Sequence, residues 1–300
     1  MHTGKKSRMD KPDPPISTSV PNGTDTSNTP VKPARGSNSA GSTLFVTLLV
    51  AGVSVAMTAA VCLPTISLVQ EVRELVSVLA LREGGAVDGP RDCYDIYLLG
   101  HTQSGVYKVY PQRSKRGFDV FCDMDDGGGW LVFQRRQNGT VDFNRGWDEY
   151  QTGFGDIQGE FWMGNELLHR ISTQGWYELQ IDMENFEEEL RYAQYQLFRV
   201  EGADTGYKLT IEGYSGDGGD GLSSHRNHAF STFDRDQDGS PGSCAESFSG
   251  GWWFENCLTS NLNGRYLEGE LESVGHGVMW AAWQGFKTSL KSVQMKVRPL

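Results

Sequence analysis

The chain has 300 residues, which is enough for one substantial domain with appended segments. It carries 27 lysine and arginine residues against 38 aspartate and glutamate residues, for a net charge of -11. Residues 1–42 carry +3 and residues 43–89 carry -2, which leaves -12 for residues 90–300. A region this acidic repels phosphates, so its charge argues against DNA or RNA as a partner.

The first 42 residues predict a disordered tail. They are rich in proline, serine, threonine, glycine and asparagine and contain almost no aliphatic residues. Such a segment cannot bury enough apolar surface to offset the entropy that it would lose on folding.

An uncharged apolar run extends from Leu44 to Leu63. Twenty helical residues span about 30 Å, the thickness of the hydrocarbon core of a bilayer. A signal peptide has a shorter apolar region nearer the N terminus, and a buried helix seldom lacks charges for so long, so the run favours a transmembrane helix over residues 43–63. Six basic residues precede it. They predict a cytoplasmic tail and a single-pass type II protein of the plasma membrane, with its C-terminal region extracellular.

Residues 64–89 predict a short stalk. Leu68, Val72, Leu75 and Leu79 follow the spacing of a coiled-coil seam. Because the pattern covers only about two heptads, an amphipathic helix without a partner remains an equal alternative. A coiled coil here would make the protein a homo-oligomer.

Residues 90–300 predict an α+β domain. Short runs of aromatic and β-branched residues predict strands at 129–133, 177–181, 207–211 and 290–297. Residues 164–172 predict one short helix, and the dense glycine and turn residues between 213 and 251 predict long irregular loops, which often carry function.

Two features of this loop region are not interpreted as binding or catalytic sites. The glycines and aspartates of residues 216–221 resemble a phosphate cradle, but the aspartates repel phosphate and no P-loop lysine follows, which predicts a flexible loop. His225 and His228 lack metalloprotease spacing and are predicted to lie at the surface. His169 lies in the short predicted helix and is expected to be structural.

The chain has five cysteines, of which Cys62 lies in the apolar run. The other four, Cys93, Cys122, Cys244 and Cys257, allow three pairings, and sequence alone does not choose between them. We favour closure of the two short loops, in an oxidising compartment. Zinc-type Cys/His spacing is missing from the sequence.

The segment from Asp234 to Cys244 carries aspartates at 234, 236 and 238, followed by Gly239. Alternating carboxylates in a glycine-rich loop can converge on a cation, and hard oxygen donors favour Ca²⁺. The start resembles an EF-hand loop, but Ala245 stands where the bidentate glutamate would be, so the sequence predicts a calcium loop of another kind. A solvated acidic turn is the alternative.

The sequence predicts no catalysis. It contains no G-x-S-x-G elbow, and no cysteine remains to act as a nucleophile outside the expected pairs.

Asn138-Gly-Thr140 is a glycosylation sequon on the side expected to be extracellular.

Several ordered motifs resemble the fibrinogen C-terminal domain family along nearly all of residues 90–300. They are PRDCYDIY (90–97), DVFCDM (119–124), GGWLVFQRR (128–136), GFGDIQGEFWMGNE (153–166), FSTFDRDQD (230–238), CAESFSGGWWFENC (244–257), SNLNGRY (260–266) and SLKSVQMKVRP (289–299). The resemblance implies antiparallel sheets with short helices and long loops. With its anchor, the chain looks most like membrane-bound fibrinogen-domain receptors for acetylated glycans, and ficolins and tachylectins share the domain.

The resemblance also implies a set of site residues. It pairs Cys93 with Cys122 and Cys244 with Cys257. Calcium would be held by the side chains of Asp236 and Asp238 and the backbone carbonyls of Ser240 and Gly242, with Asp234 orienting the loop. A ligand pocket beside the calcium loop would use Phe248, Asn256, Cys257, Leu258, Val274 and Phe286, and the Asn256–Cys257 peptide would be cis.

The pocket departs from the acetyl-binding pattern at three positions. The family's lectins place histidine directly after the cysteine and tyrosine at two wall positions, whereas this chain has Leu258, Phe248 and Val274. Such a pocket still accepts a methyl group but lacks those polar donors. Of the adjacent Trp252 and Trp253, at least one is predicted to lie in the core.

Together these features predict a calcium-dependent cell-surface receptor that recognises acetylated glycans or similar ligands. The alternative is a protein-binding adhesion or signalling domain, as in angiopoietin-like and tenascin-type fibrinogen domains.

Overall fold

A computed structural model describes residues 89–111, 114–125 and 127–300. The predicted tail at 1–42, the predicted membrane helix at 43–63 and residues 64–88 of the predicted stalk lie outside these ranges. Within the described ranges, no helix is both long and apolar enough to cross a bilayer.

The described residues form an α+β domain, as predicted. Its helices are α1 Cys93–Leu98, α2 Trp147–Thr152, α3 Asn165–Thr173, α4 Cys244–Phe248 and α5 Ala281–Gln284. Its strands are β1 Gly105–Val109, β2 Phe118–Asp123, β3 Trp130–Arg136, β4 Phe154–Gly155, β5 Phe161–Trp162, β6 Tyr177–Glu184, β7 Leu190–Val200, β8 Leu209–Gly216, β9 Ser260–Asn261, β10 Met279–Trp280 and β11 Ser292–Pro299.

A main sheet of nine antiparallel strands supports the domain. Seven strands run in the order β1-β2-β3-β11-β6-β7-β8, and β5 pairs with both β3 and β4. The C-terminal strand β11 therefore lies in the middle, between β3 and β6. Strands β9 and β10 form a separate antiparallel pair. The main sheet thus contains the C-terminal strand of the domain, while the long connection from β8 to β11 lies outside the sheet.

The core beneath this connection is aromatic. The Trp162 ring lies 5.8 Å from the Phe133 ring and 6.1 Å from the Trp253 ring, in edge and tilted arrangements that aromatic pairs prefer. Trp252 and Trp253 are both fully buried. Both therefore belong to the core, which is one more than the minimum that the sequence predicted.

One predicted strand begins later than expected. Residues 207–211 predict a strand, but Tyr207 has a φ of 54°, in the left-handed region that strands do not use. Strand β8 consequently begins at Leu209. Beyond β8, residues 217–243 contain a single short 3-10 helix at Ser223–His225, in agreement with the predicted long loops.

The N-terminal helix α1 is held by a cap and a disulfide. Asp92 accepts hydrogen bonds from the amides of Tyr94 and Asp95 and from the hydroxyl of Tyr177. Cys93, the first helical residue, forms a disulfide with Cys122 in β2. Burial, with the charge of Asp95, raises the pKa of Asp92 to about 6.

Replacing Asp92 with asparagine is expected to flatten the pH dependence of folding stability. The folded-state pKa of about 6 exceeds the ordinary 3.8, so the stabilising contribution is complete below pH 3.8 and is lost as pH rises through 6. Asparagine keeps a capping oxygen but does not titrate. Urea unfolding at several values between pH 4 and pH 7.5 measures the difference, with the exposed Asp148→Asn as control. Parallel profiles for wild type and Asp92→Asn would contradict this.

Candidate functional site

The acidic loop is anchored at its start by Asp234. Its carboxylate accepts hydrogen bonds from the Trp147 amide at the start of α2, at 2.9 Å, and from the Thr232 hydroxyl, at 2.7 Å. The guanidinium of Arg235 lies 3.9 Å from the centre of the Trp147 ring. Asp234 therefore faces a helix terminus, where a negative charge is favoured, and it orients the loop.

Asp236 and Asp238 lie together in the next turn. An oxygen of Asp236 accepts a bond from the Asp238 amide, at 3.2 Å. The two oxygens of Asp238 accept bonds from the amides of Ser240 and Cys244, each at 2.8 Å. Burial raises the pKa of Asp238, with the charge of Asp236 adding to it, whereas the amides of Cys244 and Ser240 oppose the rise. Two neighbouring carboxylates, of which Asp238 has a raised pKa, form a site that a cation would stabilise.

The donor set fits Ca²⁺ more closely than a transition metal. Within the described ranges, no three His, Cys, Asp or Glu side chains gather in a way that could hold a metal. A cation at Asp236 and Asp238 would therefore need backbone oxygens, and Ser240 and Gly242 follow in the same turn. Carboxylate, carbonyl and water oxygens are the ligands that Ca²⁺ accepts.

Two connections join this loop to the predicted pocket segment, and a third bond lies within that segment. The Gly239 amide donates to the Glu255 carbonyl, at 2.9 Å. Cys244 in α4 is disulfide-bonded to Cys257, and the Glu255 amide donates to the Cys257 carbonyl. The Asn256–Cys257 peptide is cis. The acidic loop and α4 are therefore bonded directly to residues 255–257.

The predicted pocket residues divide into two groups. Phe248 ends α4, and its ring lies 5.7 Å from the ring of His276, which no sequence pattern had marked. Gly275 has a φ of 80°, and a Cβ there would come within 2.6 Å of the Phe248 ring, so this close approach requires glycine. Val274 and Phe286 are 52% and 45% exposed, which leaves apolar surface open beside this contact.

The second group consists of the disulfide cysteine Cys257 and its two chain neighbours. Leu258 and Cys257 are half-buried against the core, and Asn256 is exposed. Because Cys257 is bonded to Cys244, the disulfide joins this segment to the helix that carries Phe248. The disulfide is thus the covalent link between the two groups of predicted pocket residues.

His225 is buried, so the prediction that it lies at the surface is wrong. It is fully excluded from solvent, and its Nδ1 lies 2.8 Å from the Trp253 carbonyl. Its Nε2 accepts from the amides of Thr259 and Ser260, at 3.3 and 3.2 Å. Burial lowers the pKa of His225 to about 4, so the ring is neutral at physiological pH.

The glycine-rich loop at 216–221 is fastened, in contrast to the flexible loop that its composition predicts. Asp217 accepts from the Tyr192 amide, at 2.9 Å. Asp220 accepts from the Tyr195 hydroxyl, at 2.7 Å, and from the Ser223 amide, at 3.0 Å. Both aspartates serve as hydrogen-bond acceptors for neighbouring structure, a role that their charge alone did not reveal.

His169 bonds to the Val200 carbonyl, in agreement with a structural role.

The sequon at Asn138 lies in an exposed turn. The Thr140 hydroxyl donates to the Asn138 side-chain oxygen, at 2.8 Å. Buried Glu160 accepts bonds from the amides of Gln137, Asn138, Gly139 and Val141 and so shapes the turn. The asparagine is therefore presented on the surface.

A family profile described as the C-terminal globular domain of fibrinogen beta and gamma chains matches residues 89–300. The chain belongs to the fibrinogen C-terminal domain family. Fibrinogen C domain-containing protein 1 of Xenopus tropicalis is 47% identical over 226 residues, covering 73% of this chain and 50% of that protein. The human protein of the same name is 49% identical over 214 residues, covering 69% of this chain and 46% of that protein. The chain thus spans about half the length of these curated relatives.

Solved fibrinogen-like domains share the architecture. The globe domain of human ANGPTL2 is 41% identical, with a TM-score of 0.68, covering 70% of this chain and 99% of that one. Lamprey fibrin D-dimer, solved with a Gly-His-Arg-Pro-amide peptide ligand, is 30% identical, also with a TM-score of 0.68, covering 85% of this chain and 92% of that one. Residues 89–300 are therefore a fibrinogen-like globe domain, of a family that is generally non-enzymatic.

Proposed function

We propose that this chain is a calcium-dependent cell-surface recognition receptor that binds acetylated glycans or similar ligands and performs no catalysis. The observation that carries the proposal is the direct connection between the acidic loop and the pocket segment, through the Gly239–Glu255 bond and the Cys244–Cys257 disulfide. Calcium at Asp236 and Asp238 would stiffen the loop, and the pocket segment would be held through these links. The ion itself need not touch the ligand.

The pocket chemistry suits a small apolar group on a polar ligand. Phe248, Val274 and Leu258 supply apolar walls that a methyl group can contact. Exposed Asn256 and half-buried His276 supply polar groups at its edge. An acetyl group buried without a donor for its carbonyl would cost about 1–3 kcal/mol, and a hydrogen bond from either of these side chains would remove that cost.

Membrane anchoring completes the proposed receptor. The apolar run at 43–63 would anchor the chain in the plasma membrane, with the domain outside the cell. Self-association of residues 64–89 would present several domains on one oligomer, and several weak sites acting together raise avidity by about 10²–10⁴. Asn138 would carry a glycan on the extracellular side.

A protein ligand is the second candidate. The side chains of Val274 and Phe286, two of the proposed pocket residues, are exposed, and exposed apolar side chains at one site would suit a protein partner. The similarity to the ANGPTL2 globe domain and to a fibrin domain with a bound peptide favours the same candidate.

Full-length chain in detergent is expected to bind immobilised N-acetylated chitin fragments and to lose this binding when calcium is chelated. Deacetylated fragments on a second surface are the control for charge and for general sugar affinity. Acetyl-selective, calcium-dependent binding would support the glycan receptor. A folded, calcium-loaded chain that binds neither surface would contradict it and favour a protein ligand.

A further inference from the structure

His225 bonds to both ends of the segment that carries the predicted pocket residues. Nδ1 contacts the carbonyl of Trp253, and Nε2 contacts the amides of Thr259 and Ser260. Residues 254–258, between these contacts, include the cis peptide, the disulfide cysteine Cys257 and the pocket residue Leu258. One imidazole therefore fastens both ends of a five-residue segment.

The partners of the imidazole determine its protonation state. A carbonyl can only accept, so Nδ1 must carry the proton, and two amides can only donate, so Nε2 must be bare. The charged form would place a proton on Nε2 against both amides. The titratable groups that act on the ring are His228, which lowers its pKa, and Glu255, which raises it. Burial outweighs both and keeps the ring neutral.

The imidazole is itself supported from the main sheet. Tyr195 of β7 donates its hydroxyl proton to Asp220, and Asp220 also accepts the Ser223 amide at the start of the 3-10 helix that ends with His225. The Thr259 hydroxyl donates to the Gly221 carbonyl, at 2.9 Å. A continuous series of hydrogen bonds thus extends from β7 through the glycine-rich loop and His225 to the pocket segment.

We propose that His225, as a neutral imidazole, is a positioning residue that fixes residues 254–258 against the sheet and so sets the place of Leu258 in the ligand pocket. The ligand-binding consequence rests on the proposed function of that pocket. The effect on the segment does not, because it depends only on the hydrogen bonds of His225.

Three substitutions in the full-length chain separate the two contacts. Glutamine can place its carbonyl oxygen near the position of Nε2, so His225→Gln keeps an acceptor for Thr259 and Ser260. Asparagine can place its amide nitrogen near the position of Nδ1, so His225→Asn keeps only the donor to Trp253. His225→Ala keeps neither. His228→Gln is the matched control, because the bonds to the pocket segment come from His225 alone among these two histidines.

Hydrogen exchange at the Thr259 and Ser260 amides is the first measurement. We expect exchange at least about tenfold faster in His225→Asn and His225→Ala, since a buried bond is lost. His225→Gln should stay within about threefold of wild type, and His228→Gln should match it. Binding to N-acetylated chitin oligosaccharide should weaken in the same order, by about tenfold or more for asparagine and alanine, with little change in calcium affinity.

Wild-type exchange rates at both amides in folded His225→Ala would overturn the proposal. Faster exchange with unchanged chitin binding would equally overturn the pocket role. If the wild-type chain binds no chitin, the proposed function fails, yet the exchange result still decides whether His225 fixes the segment. If the variants do not fold, ¹⁵N shifts of histidine-labelled wild type decide: a bare Nε2 and a protonated Nδ1 support the proposal, and the opposite tautomer or a charged ring overturns it.

Discussion

Replacing Glu160 with glutamine is expected to lower the free energy of unfolding by about 3–5 kcal/mol, the usual cost of breaking a buried ion pair. Glu160 and Arg136 are each 1% exposed, and their nearest charged atoms are 3.8 Å apart. Glutamine would leave the Arg136 charge buried without its counter-ion. Its amide would also face backbone donors where a carboxylate oxygen now accepts.

Other contacts of Arg136 would remain in Glu160→Gln and would partly stabilise its buried charge. Arg136 also donates to the carbonyls of Leu262 and Gly264, and its guanidinium lies 3.9 Å from the Phe143 ring centre. These contacts reduce the penalty but bring no negative charge. We therefore expect the loss to exceed that from any exposed ion pair of the domain, which is typically under about 1 kcal/mol.

Chemical denaturation of wild type, Glu160→Gln and the control Glu149→Gln measures this difference. Glu149 forms an exposed pair with Arg145 at 2.7 Å, so its loss should cost under about 1 kcal/mol. Similar losses in the two variants would show that the buried pair is not special.

Glu160 also predicts a pH dependence opposite to that of Asp92. Although burial opposes it, the backbone amides lower the pKa of Glu160 below its ordinary 4.5. Its contribution to stability is therefore present above pH 4.5 and is lost as pH falls through the folded-state pKa. The acid limb of the wild-type stability profile should become shallower in Glu160→Gln.

The contrast between these residues shows what the sequence could predict. Features set by neighbours in the chain were accessible: the alternating aspartates of the acidic loop, the short helix, predicted at 164–172 and found at 165–173, and four strands of the main sheet. The short-loop pairing of the four cysteines, which the sequence favoured and the family motifs also implied, is the pairing in the structure.

Features set by distant partners were not accessible. His225 contacts residues 28 and 34 positions away, and Glu160 contacts amides about 20 positions away. Nothing in the local sequence distinguishes these side chains from solvated ones. Burial of a polar group depends on whether the fold supplies hydrogen-bond partners, and those partners exist only once the loops are packed.

Replacing Asp236 with alanine is expected to abolish calcium binding while leaving the calcium-free domain nearly unchanged. Asp236 is exposed, and its side chain accepts the Asp238 amide at 3.2 Å. Asp238, in contrast, accepts two amides that shape the loop, so its replacement would mix structural damage with loss of a ligand. Asp236→Ala thus removes one negative charge from the proposed calcium site while keeping the two Asp238 hydrogen bonds that shape the loop.

The calcium-dependent rise in thermal stability provides the measurement. A ligand at 100 times its Kd stabilises the folded state by about 2.7 kcal/mol, so the wild-type midpoint should rise on adding Ca²⁺ while that of Asp236→Ala should not. Asp234→Asn is the control: Asp234 bonds to Trp147 and Thr232, so it should lose far less affinity than a ligand would. An equal calcium shift in wild type and Asp236→Ala would remove Asp236 from the site. If Asp236→Ala instead loses both the calcium shift and chitin binding, calcium in the acidic loop controls ligand binding at the pocket segment. The Gly239–Glu255 bond and the Cys244–Cys257 disulfide are the contacts that connect the two.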